Sequence, residues 1–286
     1  MLQRCESGGI RYVTDPAAAD AGIITAFSER TGGVSPAPYA TLNLGLQTDD
    51  DPAHVAENRR RLSAALGVNP RAHERLVGAL QTHGTRIFDV TADALSTALA
   101  YPAHGVPDTD ALMTQLPQTP LLLCFADCVP VILYATRPSA TVAVVHSGWR
   151  GTLSQIAAVA VRAMQERYAV APADITAVIG PAIGPESFEV DADLALKFQA
   201  VFPTIDYSKT RAETSDRPDF GNAPARVEKV RFDLTQAVRA TLVQAGLREE
   251  GITALGISTV AESTRFFSYR ADDGLTGRFG AYVCIA

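Results

Sequence analysis

The hydrophobic positions of the chain fall into short runs separated by turn residues, and the first third contains one clear helical repeat. Asp51 can cap a helix, and Pro52 suits its first turn because an amide there needs no helical partner. Val55 and Leu62 then lie seven residues apart, close to two helical turns, before Gly67 interrupts the pattern. The pattern predicts an amphipathic helix that begins at Pro52 and stops at Gly67.

The middle of the chain predicts strands that are buried on both faces. Residues 119–134 are apolar almost throughout, with Asp127 and Pro130 as the interruptions. A continuous apolar run of this kind is typical of a strand that is covered on both sides. Shorter runs at 141–146 and 175–180 predict two further strands, which together indicate a compact core of sheet and helix.

The rest of the pattern predicts one more helix, a loop and a final strand. Residues 153–168 place Ile156 and Ala160 on one face, as in an amphipathic helix. The polar stretch 204–230 contains prolines and has no clear period, which predicts a long surface loop. A strand-like run at 254–259 would then complete the same sheet system.

These elements predict one domain. Its predicted span is residues 1–286, with a core from about 20 to 284. The predicted fold class is α+β: a single domain with mixed β-sheets flanked by helices. No repeat of 20–50 residues is visible, which argues against solenoids and propellers.

Composition and charge exclude several classes of protein. With 47% apolar residues and a net charge of −6, the chain has a globular balance and lacks the basic excess typical of nucleic-acid or anionic-membrane binders. No segment approaches the roughly 20 unbroken apolar residues of a membrane helix, and the first residues lack a signal peptide's apolar core. Four cysteines form no dense framework. We predict a cytoplasmic protein with reduced thiols and neither nucleic-acid nor membrane partners.

Three potential metal ligands stand where a predicted strand gives way to a turn. They are His83, Cys128 and His146, which are 45 and 18 residues apart along the chain. Two imidazoles and one thiolate match the ligand preferences of zinc, and three protein ligands leave its fourth position for water or substrate. The wide spacing differs from the paired spacing of a zinc finger, so we predict a catalytic zinc site.

Each of these residues also has a purely structural interpretation. A free cysteine in an apolar strand usually acts as a small core hydrophobe. A histidine before a glycine, as at His83, is often a turn residue bonded to the backbone, and His146 could be a satisfied imidazole at a strand end. Cys124 lies four residues before Cys128 and is predicted to be a core residue.

Seven motifs in order give the chain a specific resemblance. The motifs are Gly32-Gly33-Val34-Ser35 with Asn43-Leu44-Gly45, Glu57-Asn58-Arg59, Thr82-His83-Gly84, Ala126-Asp127-Cys128 with Pro130-Val131, His146 with Gly148-Trp149-Arg150-Gly151-Thr152, Gly180-Pro181 with Ile183-Gly184-Pro185 and Phe188-Glu189-Val190, and Phe266-Phe267-Ser268-Tyr269-Arg270 with Thr276-Gly277-Arg278. With these motifs, the chain resembles the laccase-domain, or polyphenol oxidase-type purine nucleoside phosphorylase, family, whose members are also described as peptidoglycan editing factors. The resemblance covers roughly residues 25 to 280.

The resemblance implies a zinc enzyme that acts on small molecules. Family members bind zinc through residues that match His83, Cys128 and His146. They split adenosine, inosine and methylthioadenosine with phosphate, and they deaminate adenosine; older and other assignments are copper-dependent phenol oxidation and editing of peptidoglycan precursors. Their fold is similar to that of Cys/His hydrolases and toxin-type deamidases. Two usual family cysteines are Ala182 and Ser258 here, which weakens a multi-copper reading because copper sites favour sulfur.

Further residues are candidates for catalysis and substrate binding. Cys128 and Asp127 are the predicted catalytic residues, and Asp127 could orient a water or shuttle its proton, or could simply accept backbone N–H bonds. Arg150 and Arg278, with Arg30 behind them, are predicted to contact phosphate or ribose. Each arginine could equally be a surface ion-pair partner.

Two rival functions remain open from the sequence. One is a thiol hydrolase in which Cys128 is the nucleophile, His146 the base, and Asp127 or His83 the orienting group. The other is a non-catalytic protein that holds a structural zinc and binds partners through the 204–230 loop. The preferred nucleoside and the oligomeric state are likewise open.

Overall fold

The computed structural model describes residues 2–209, 213–214 and 226–286. Short 3₁₀ turns occur at Pro102–His104, Pro172–Asp174 and Glu249–Gly251. The helices are α1 (Pro16–Asp20), α2 (Pro52–Ala65), α3 (Pro70–His73), α4 (Ala92–Ala100), α5 (Trp149–Leu153), α6 (Ile156–Tyr168), α7 (Ala192–Val201) and α8 (Leu234–Gln244). The strands are β1 (Gln3–Ser7), β2 (Ile10–Thr14), β3 (Ile23–Ser28), β4 (Val77–Ala79), β5 (Ile87–Asp89), β6 (Gly105–Val106), β7 (Ala111–Thr114), β8 (Leu121–Phe125), β9 (Val129–Ala135), β10 (Thr141–Ser147), β11 (Thr176–Ile179), β12 (Glu189–Asp191), β13 (Tyr207–Lys209), β14 (Glu213–Thr214), β15 (Arg226–Val227), β16 (Lys229–Phe232), β17 (Ile252–Ala254) and β18 (Phe279–Ile285).

Two mixed sheets form the centre of the molecule. The first has the order β1-β2-β3-β18-β8-β4-β6, and the second has the order β17-β11-β9-β10-β7-β5. Both contain parallel and antiparallel pairs: β4 runs parallel to β8, and β10 runs antiparallel to β9. The predicted α+β domain with mixed sheets flanked by helices is confirmed. The first sheet also includes β1 and β2, which lie before the predicted core.

The sheets stack face to face and each has its outer face covered. In β8, Leu121 and Leu123 contribute to the hydrophobic cluster between the sheets, whereas Leu122 joins a second cluster with Leu62 of α2. On the far side of the second sheet, β9 and β10 pack against α6 and α8, as in the contact cluster that holds Leu133. This alternation follows from the two-residue period of a strand. Because both faces are covered, nearly every position of β8 and β9 is apolar.

The first predicted helix is confirmed, and the second begins later than expected. The Asp51 side chain accepts a hydrogen bond from the Ala53 amide at the start of α2. In the predicted helix 153–168, Gln155 adopts a left-handed conformation with φ 58°. The chain therefore forms the short α5 first, and the long helix α6 starts only at Ile156.

The apolar run 119–134 is two strands rather than the one predicted. Asp127 has φ 90°, a value that ends an extended strand, and the chain turns there. β8 belongs to the first sheet and β9 to the second, so residues 126–128 cross from one sheet to the other. Hydrophobicity alone cannot show this turn, because both strands are covered on both faces.

Two C-terminal predictions also need correction. The predicted 204–230 loop contains β13 and the start of β16, which pair with each other in a small sheet. Its residues 210–212 and 215–225 lie outside the described residues. The predicted strand 254–259 overlaps β17 only at Ala254, where β17 ends; beyond it, Ser258 forms an isolated bridge with Ala182. Polar edge strands and short bridges lack the apolar period on which the predictions relied.

The Gly-Gly-Val-Ser, Asn-Leu-Gly and Glu-Asn-Arg motifs interlock through buried hydrogen bonds. Asn58 donates to Ser35 Oγ and to the Asn43 carbonyl, both at 2.9 Å. Asp50 accepts from Ser35 at 2.6 Å and from Asn43 at 2.9 Å. Arg59 binds the next carbonyl, that of Leu44, through two of its nitrogens. This network fixes the segment that follows, which forms a wall of the cavity described below.

A buried carboxylate ties the N-terminal strands to the 262–270 segment. Glu29 is 1% exposed and accepts from Arg4 at 2.7 Å and from Arg265 at 2.8 Å. Burial would raise the pKa of Glu29, but the two guanidinium groups hold it below its ordinary value. The ionised form therefore contributes to the stability of the fold.

We expect Glu29→Gln to lower the free energy of unfolding at neutral pH by about 1–2 kcal/mol, because an amide satisfies the two cations poorly. Since the folded pKa is lowered, the wild-type contribution is complete above the unfolded value of about 4.3 and is lost as the pH falls through the folded one. Urea titrations at several pH values should show the difference shrinking in acid. Glu6→Gln, at a surface pair with Arg11, should change stability by less than about 0.5 kcal/mol. Equal losses would contradict the prediction.

In the described part of the chain, no helix combines the length and apolar character needed to cross a membrane.

Candidate metal centre and its cavity

The three predicted ligands meet at one edge of the stacked sheets. His83 follows β4, and Cys128 follows β8; these strands run parallel, so their carboxyl ends share an edge. His146 lies near the end of β10, opposite Pro130 at the start of β9. The crossover that carries Cys128 thus passes directly beside both histidines. Strand topology therefore explains how residues far apart in sequence converge.

The distances describe a tight cluster. Cys128 Sγ lies 3.7 Å from His83 Nε2. The rings of His83 and His146 are 4.8 Å apart between centroids, with an interplanar angle of 74°. One ligand atom from each of the three residues lies within 4.8 Å of the other two. His146 is buried, and the other two side chains are partly exposed.

Asp110 holds both histidine-bearing segments and was not predicted from the sequence. Its Oδ1 accepts from His146 Nδ1 at 2.7 Å and from the His83 amide at 2.9 Å. Its Oδ2 accepts from the Gly84 amide at 2.7 Å and from the Thr82 amide at 3.2 Å. The carboxylate is fully buried. One side chain therefore sets the orientation of one imidazole and the position of the turn that carries the other.

The position of Asp110 follows from strand register. β10 runs antiparallel to β7 with Val145 opposite Ala111, so Asp110 lies beside His146, whose amide donates to the Asp110 carbonyl at 2.8 Å. The sequence signal is an acidic residue just before a buried strand. That signal identifies no partner until the pairing of β7 with β10 is known.

Burial and mutual attraction act in opposite directions on the charged groups of this cluster. Burial alone would raise the pKa of the Cys128 thiol, but the adjacent His146 and His83 lower it below the ordinary value. Burial likewise disfavours a charged His146, yet Cys128 and Asp110 raise its pKa. For Asp110, hydrogen bonds from His146 and Gly84 outweigh burial and lower the pKa to about 2. Cys128 therefore favours the thiolate form that metals bind.

The donor set fits a zinc ion. With Nδ1 of His146 bound to Asp110, Nε2 is the nitrogen left for a ligand. Together with His83 Nε2 and the Cys128 sulfur, it forms a set typical of zinc, which copper can also use. Gly148 keeps the space beside these atoms open: a Cβ there would lie 2.7 Å from His83 Cδ2 and 3.0 Å from Cys128 Sγ.

No fourth His, Cys, Asp or Glu joins the cluster within the residues that the structure describes. A site with three protein ligands keeps a position for a small molecule, as catalytic zinc sites do. The remaining histidines bond elsewhere: His54 with the carboxylate of Asp50, His73 with the hydroxyl of Ser63, and His104 with the carbonyl of Leu76.

The carboxylate of Asp127 accepts three hydrogen bonds from the segments around it. Its Oδ1 accepts from Thr259 and from Ser268, each at 2.6 Å, and its Oδ2 accepts from the Arg270 amide at 2.7 Å. Through these bonds Asp127 ties the turn that carries Cys128 to residues 268–270. Asp127 also lines the cavity described below, and its water-orienting or proton-shuttling role stays a prediction.

A cavity of about 490 Å³ opens over the cluster. Its volume lies within the range of about 300–1,000 Å³ that is usual for small-molecule sites. The cluster residues His83, Cys128 and His146 all line it. The rest of its lining includes Gly45, Leu46, Gln47, Gln81, Cys124, Trp149, Ile183, Phe188, Leu234, Tyr269, Arg270 and Arg278.

Of the three predicted substrate-binding arginines, Arg278 lines this cavity and the other two do not. Arg30 donates to main-chain carbonyls and lies 3.6 Å from the carboxylate of Asp272, so it joins two loops. Arg150 is exposed and packs over the ring of Trp149 at 4.2 Å. These positions do not support the predicted substrate contacts of Arg30 and Arg150.

Several residues of the cavity wall were not predicted from the sequence. Cys124, predicted as core, is half-buried and reaches the lining, where its thiol donates to the Leu44 carbonyl at 3.2 Å. The Gln81 side chain donates to the Cys124 carbonyl at 2.8 Å and accepts from the Cys124 amide at 2.9 Å, so it pairs with the backbone of β8 at the cavity. Tyr269 and Arg270 reach the cavity from the turn anchored on Asp127. The motif that contains Tyr269 and Arg270 is recognisable in the sequence, but the sequence does not show that these two residues line the cavity.

Curated relatives match almost the whole chain. The purine nucleoside phosphorylase YlmD of Geobacillus stearothermophilus is 37% identical over 92% of this chain and 90% of its own length. The purine nucleoside phosphorylase YfiH of Escherichia coli is 33% identical over 92% of this chain and 93% of its own.

Solved structures agree with this match. YlmD from Geobacillus stearothermophilus superposes with a TM-score of 0.82 at 34% identity, covering 99% of this chain and 98% of that one. The hypothetical protein YfiH from Bacillus licheniformis gives a TM-score of 0.81 at 31% identity, covering 98% of both chains. The family model described as multi-copper polyphenol oxidoreductase laccase matches residues 24–286. The chain belongs to this family.

Proposed function

We propose that the protein is a zinc-dependent purine nucleoside phosphorylase that converts adenosine, inosine or methylthioadenosine to a free base and a ribose 1-phosphate. Adenosine deamination is the proposed side activity, and the cytoplasm is the proposed compartment. The observation that carries the proposal is the convergence of His83, Cys128 and His146 beneath a cavity of about 490 Å³. The names of the relatives, which are purine nucleoside phosphorylases, support the reaction class.

The proposed zinc ligands are His83, Cys128 and His146. A zinc ion bound there would supply Lewis acidity at the inner end of the cavity. Asp110 accepts the Nδ1 proton of His146, which leaves Nε2 as the nitrogen that would bind the metal. Copper remains the alternative metal, but Ala182 and Ser258 add no sulfur to the site.

The remaining chemistry is displacement at the sugar. A phosphate oxygen forms a bond to C1′ while the bond from C1′ to the base nitrogen breaks, and the base leaves with a proton. We propose that Arg278 binds the phosphate. Its Nη1 donates to the carbonyls of Thr276 and Gly277, which are neutral acceptors, so the guanidinium keeps its charge for an anion.

Gly45 makes room for this arginine. A Cβ at Gly45 would lie 2.6 Å from Arg278 Cγ. Asn43 Oδ1 accepts from the amides of both residues, at 3.1 and 2.8 Å. The buried network of the N-terminal motifs therefore positions the proposed phosphate ligand.

Chromatography of products from tag-free protein tests the proposal. We expect wild-type protein to release hypoxanthine from inosine only when phosphate is present, with one equivalent of ribose 1-phosphate. Chelator-treated protein should lose this activity and regain it with zinc. Inosine formed from adenosine would support the deaminase activity. Absence of phosphate-dependent base release in the zinc-loaded protein would overturn the proposal and favour a structural-zinc protein.

A second candidate function rests on the spatial arrangement of Cys128, His146 and Asp110. A thiol, an imidazole and a buried carboxylate bonded to that imidazole resemble the nucleophile, base and orienting group of a thiol hydrolase. In this candidate Asp110, bonded to His146, is the orienting group, a role that the sequence analysis assigns to Asp127 or His83. Hydrolysis of a peptidoglycan precursor that survives chelation, but not thiol alkylation, would favour this candidate.

A further inference from the structure

Tyr269 is an exposed aromatic side chain at the candidate site. Its side chain is 56% exposed, a large fraction for an aromatic residue. Two other large apolar residues with comparable exposure, Leu196 and Leu275, do not line the cavity, whereas Tyr269 does. Packing in the hydrophobic core does not account for an exposed aromatic ring at a cavity, and exposed apolar surface of this kind often marks a binding site.

The backbone on both sides of Tyr269 is fixed to the metal centre. Ser268 Oγ donates to Asp127 Oδ1 at 2.6 Å, and the Arg270 amide donates to Asp127 Oδ2 at 2.7 Å. Asp127 directly precedes Cys128, so the same turn carries a metal ligand and anchors the aromatic residue. The ring is thus exposed while its main chain is held firmly.

The ring also has defined neighbours. Gly274 has φ 90°, donates its amide to the Tyr269 carbonyl at 2.8 Å, and a Cβ there would lie 3.2 Å from the ring. The Arg278 guanidinium lies over the ring, 5.8 Å from its centroid. The aromatic surface and the proposed phosphate ligand are therefore adjacent.

We propose that Tyr269 is the surface on which the purine base stacks, an inference that rests on the proposed function. Flat π-systems stack on aromatic rings whatever their hydrogen-bonding edge, so one ring can serve adenosine, inosine and methylthioadenosine alike. Because Tyr269 lines the same cavity as the His83–Cys128–His146 cluster, a base stacked on its ring would leave the sugar in that cavity, with Arg278 beside the ring for phosphate. Because a purine offers two fused rings, the arrangement favours purine over pyrimidine nucleosides.

Steady-state kinetics with inosine and saturating phosphate test this assignment. We expect Tyr269→Ala to raise KM about tenfold, as stacking surfaces do on truncation, with kcat changed by less than about threefold. Tyr269→Phe keeps the ring and should leave KM within about twofold of wild type. Leu275→Ala, with similar exposure on the same segment but outside the cavity lining, is the matched control and should behave as wild type.

The single tryptophan provides a readout that does not need turnover. Trp149 lines the same cavity, so titration with hypoxanthine should change its fluorescence. We expect the apparent Kd to rise about tenfold in Tyr269→Ala and to stay unchanged in Tyr269→Phe and Leu275→Ala. The three variants change exposed side chains at two positions, and far-ultraviolet circular dichroism would check their folding.

The outcomes separate this inference from the proposed function. If wild-type protein releases base and Tyr269→Ala retains the wild-type KM and Kd, the stacking assignment is overturned while the phosphorylase proposal stands. If Tyr269→Phe loses binding as fully as Tyr269→Ala, the hydroxyl rather than the ring face binds the ligand, and the assignment is again overturned. If wild-type protein releases no base, the phosphorylase proposal fails, and loss of hypoxanthine binding in Tyr269→Ala would still support the stacking surface.

Discussion

Cys128→Ala is expected to weaken zinc binding by at least about a hundredfold, because even an outer partner of a ligand contributes about ten- to a hundredfold. The substitution removes the thiolate, the one anionic ligand of the cluster, and leaves two imidazoles 4.8 Å apart between ring centroids. Phosphate-dependent base release should fall below detection. Zinc affinity measured by competition with a chromogenic chelator, together with product chromatography, checks both effects.

Cys5→Ala is the matched control for this variant. It removes a thiol from β1, at the far edge of the first sheet, and should retain wild-type zinc affinity and activity. A Cys128→Ala protein that binds zinc as tightly as the control would contradict the proposed ligand set. If Cys128→Ala loses zinc as expected but keeps full activity, the metal is not required for catalysis.

Asp110→Asn is expected to lower zinc affinity by about ten- to a hundredfold while leaving all three ligands in place. In wild type, Oδ1 and Oδ2 accept hydrogen bonds from His146, His83 and Gly84. The asparagine oxygen can still accept, but its NH₂ group would face an N–H donor in place of an acceptor. The variant should also lose about 1–3 kcal/mol of unfolding free energy, since a buried donor is left unmatched. Competition for zinc and urea titration measure the two effects separately.

A specific readout distinguishes positioning from general destabilisation. Nitrogen-15 NMR of the zinc-saturated proteins reports whether Nδ1 of His146 carries a proton, and the hydrogen bond to Asp110 predicts a protonated Nδ1 in wild type. Asp108→Asn removes an equal charge two residues away, at an exposed side chain bonded to Thr82, and should change neither the NMR signals of His146 nor zinc affinity. Similar losses in both variants would contradict the role given to Asp110.

Local patterns were sufficient where one segment decides its own structure. Helix α2 was predicted because Asp51 caps it, Pro52 suits its first turn and the apolar spacing is helical. The candidate ligands were predicted because histidine and cysteine stood at strand ends and within family motifs. None of these predictions required knowledge of which strand lies beside which.

Predictions failed where two segments decide jointly. The run 119–134 was read as one strand because hydrophobicity does not reveal that β8 and β9 belong to different sheets. The edge strand β13 was read as loop because a polar strand is recognised only through its pairing with β16. Arg150 and Arg278, with Arg30 behind them, are candidates of one kind in the sequence, and only packing shows that Arg278 alone among the three lines the cavity.

The sequence by itself determined the residue types available for metal binding, the helix at α2 and the family to which the chain belongs. Tertiary structure decided how those residues act together: it placed Asp110 beside His146 through the register of β7 and β10, and it turned Tyr269 toward the cavity through Asp127. The physical reason is that chemical identity and helical period are local properties. Strand pairing and side-chain orientation depend on contacts between segments that are distant along the chain.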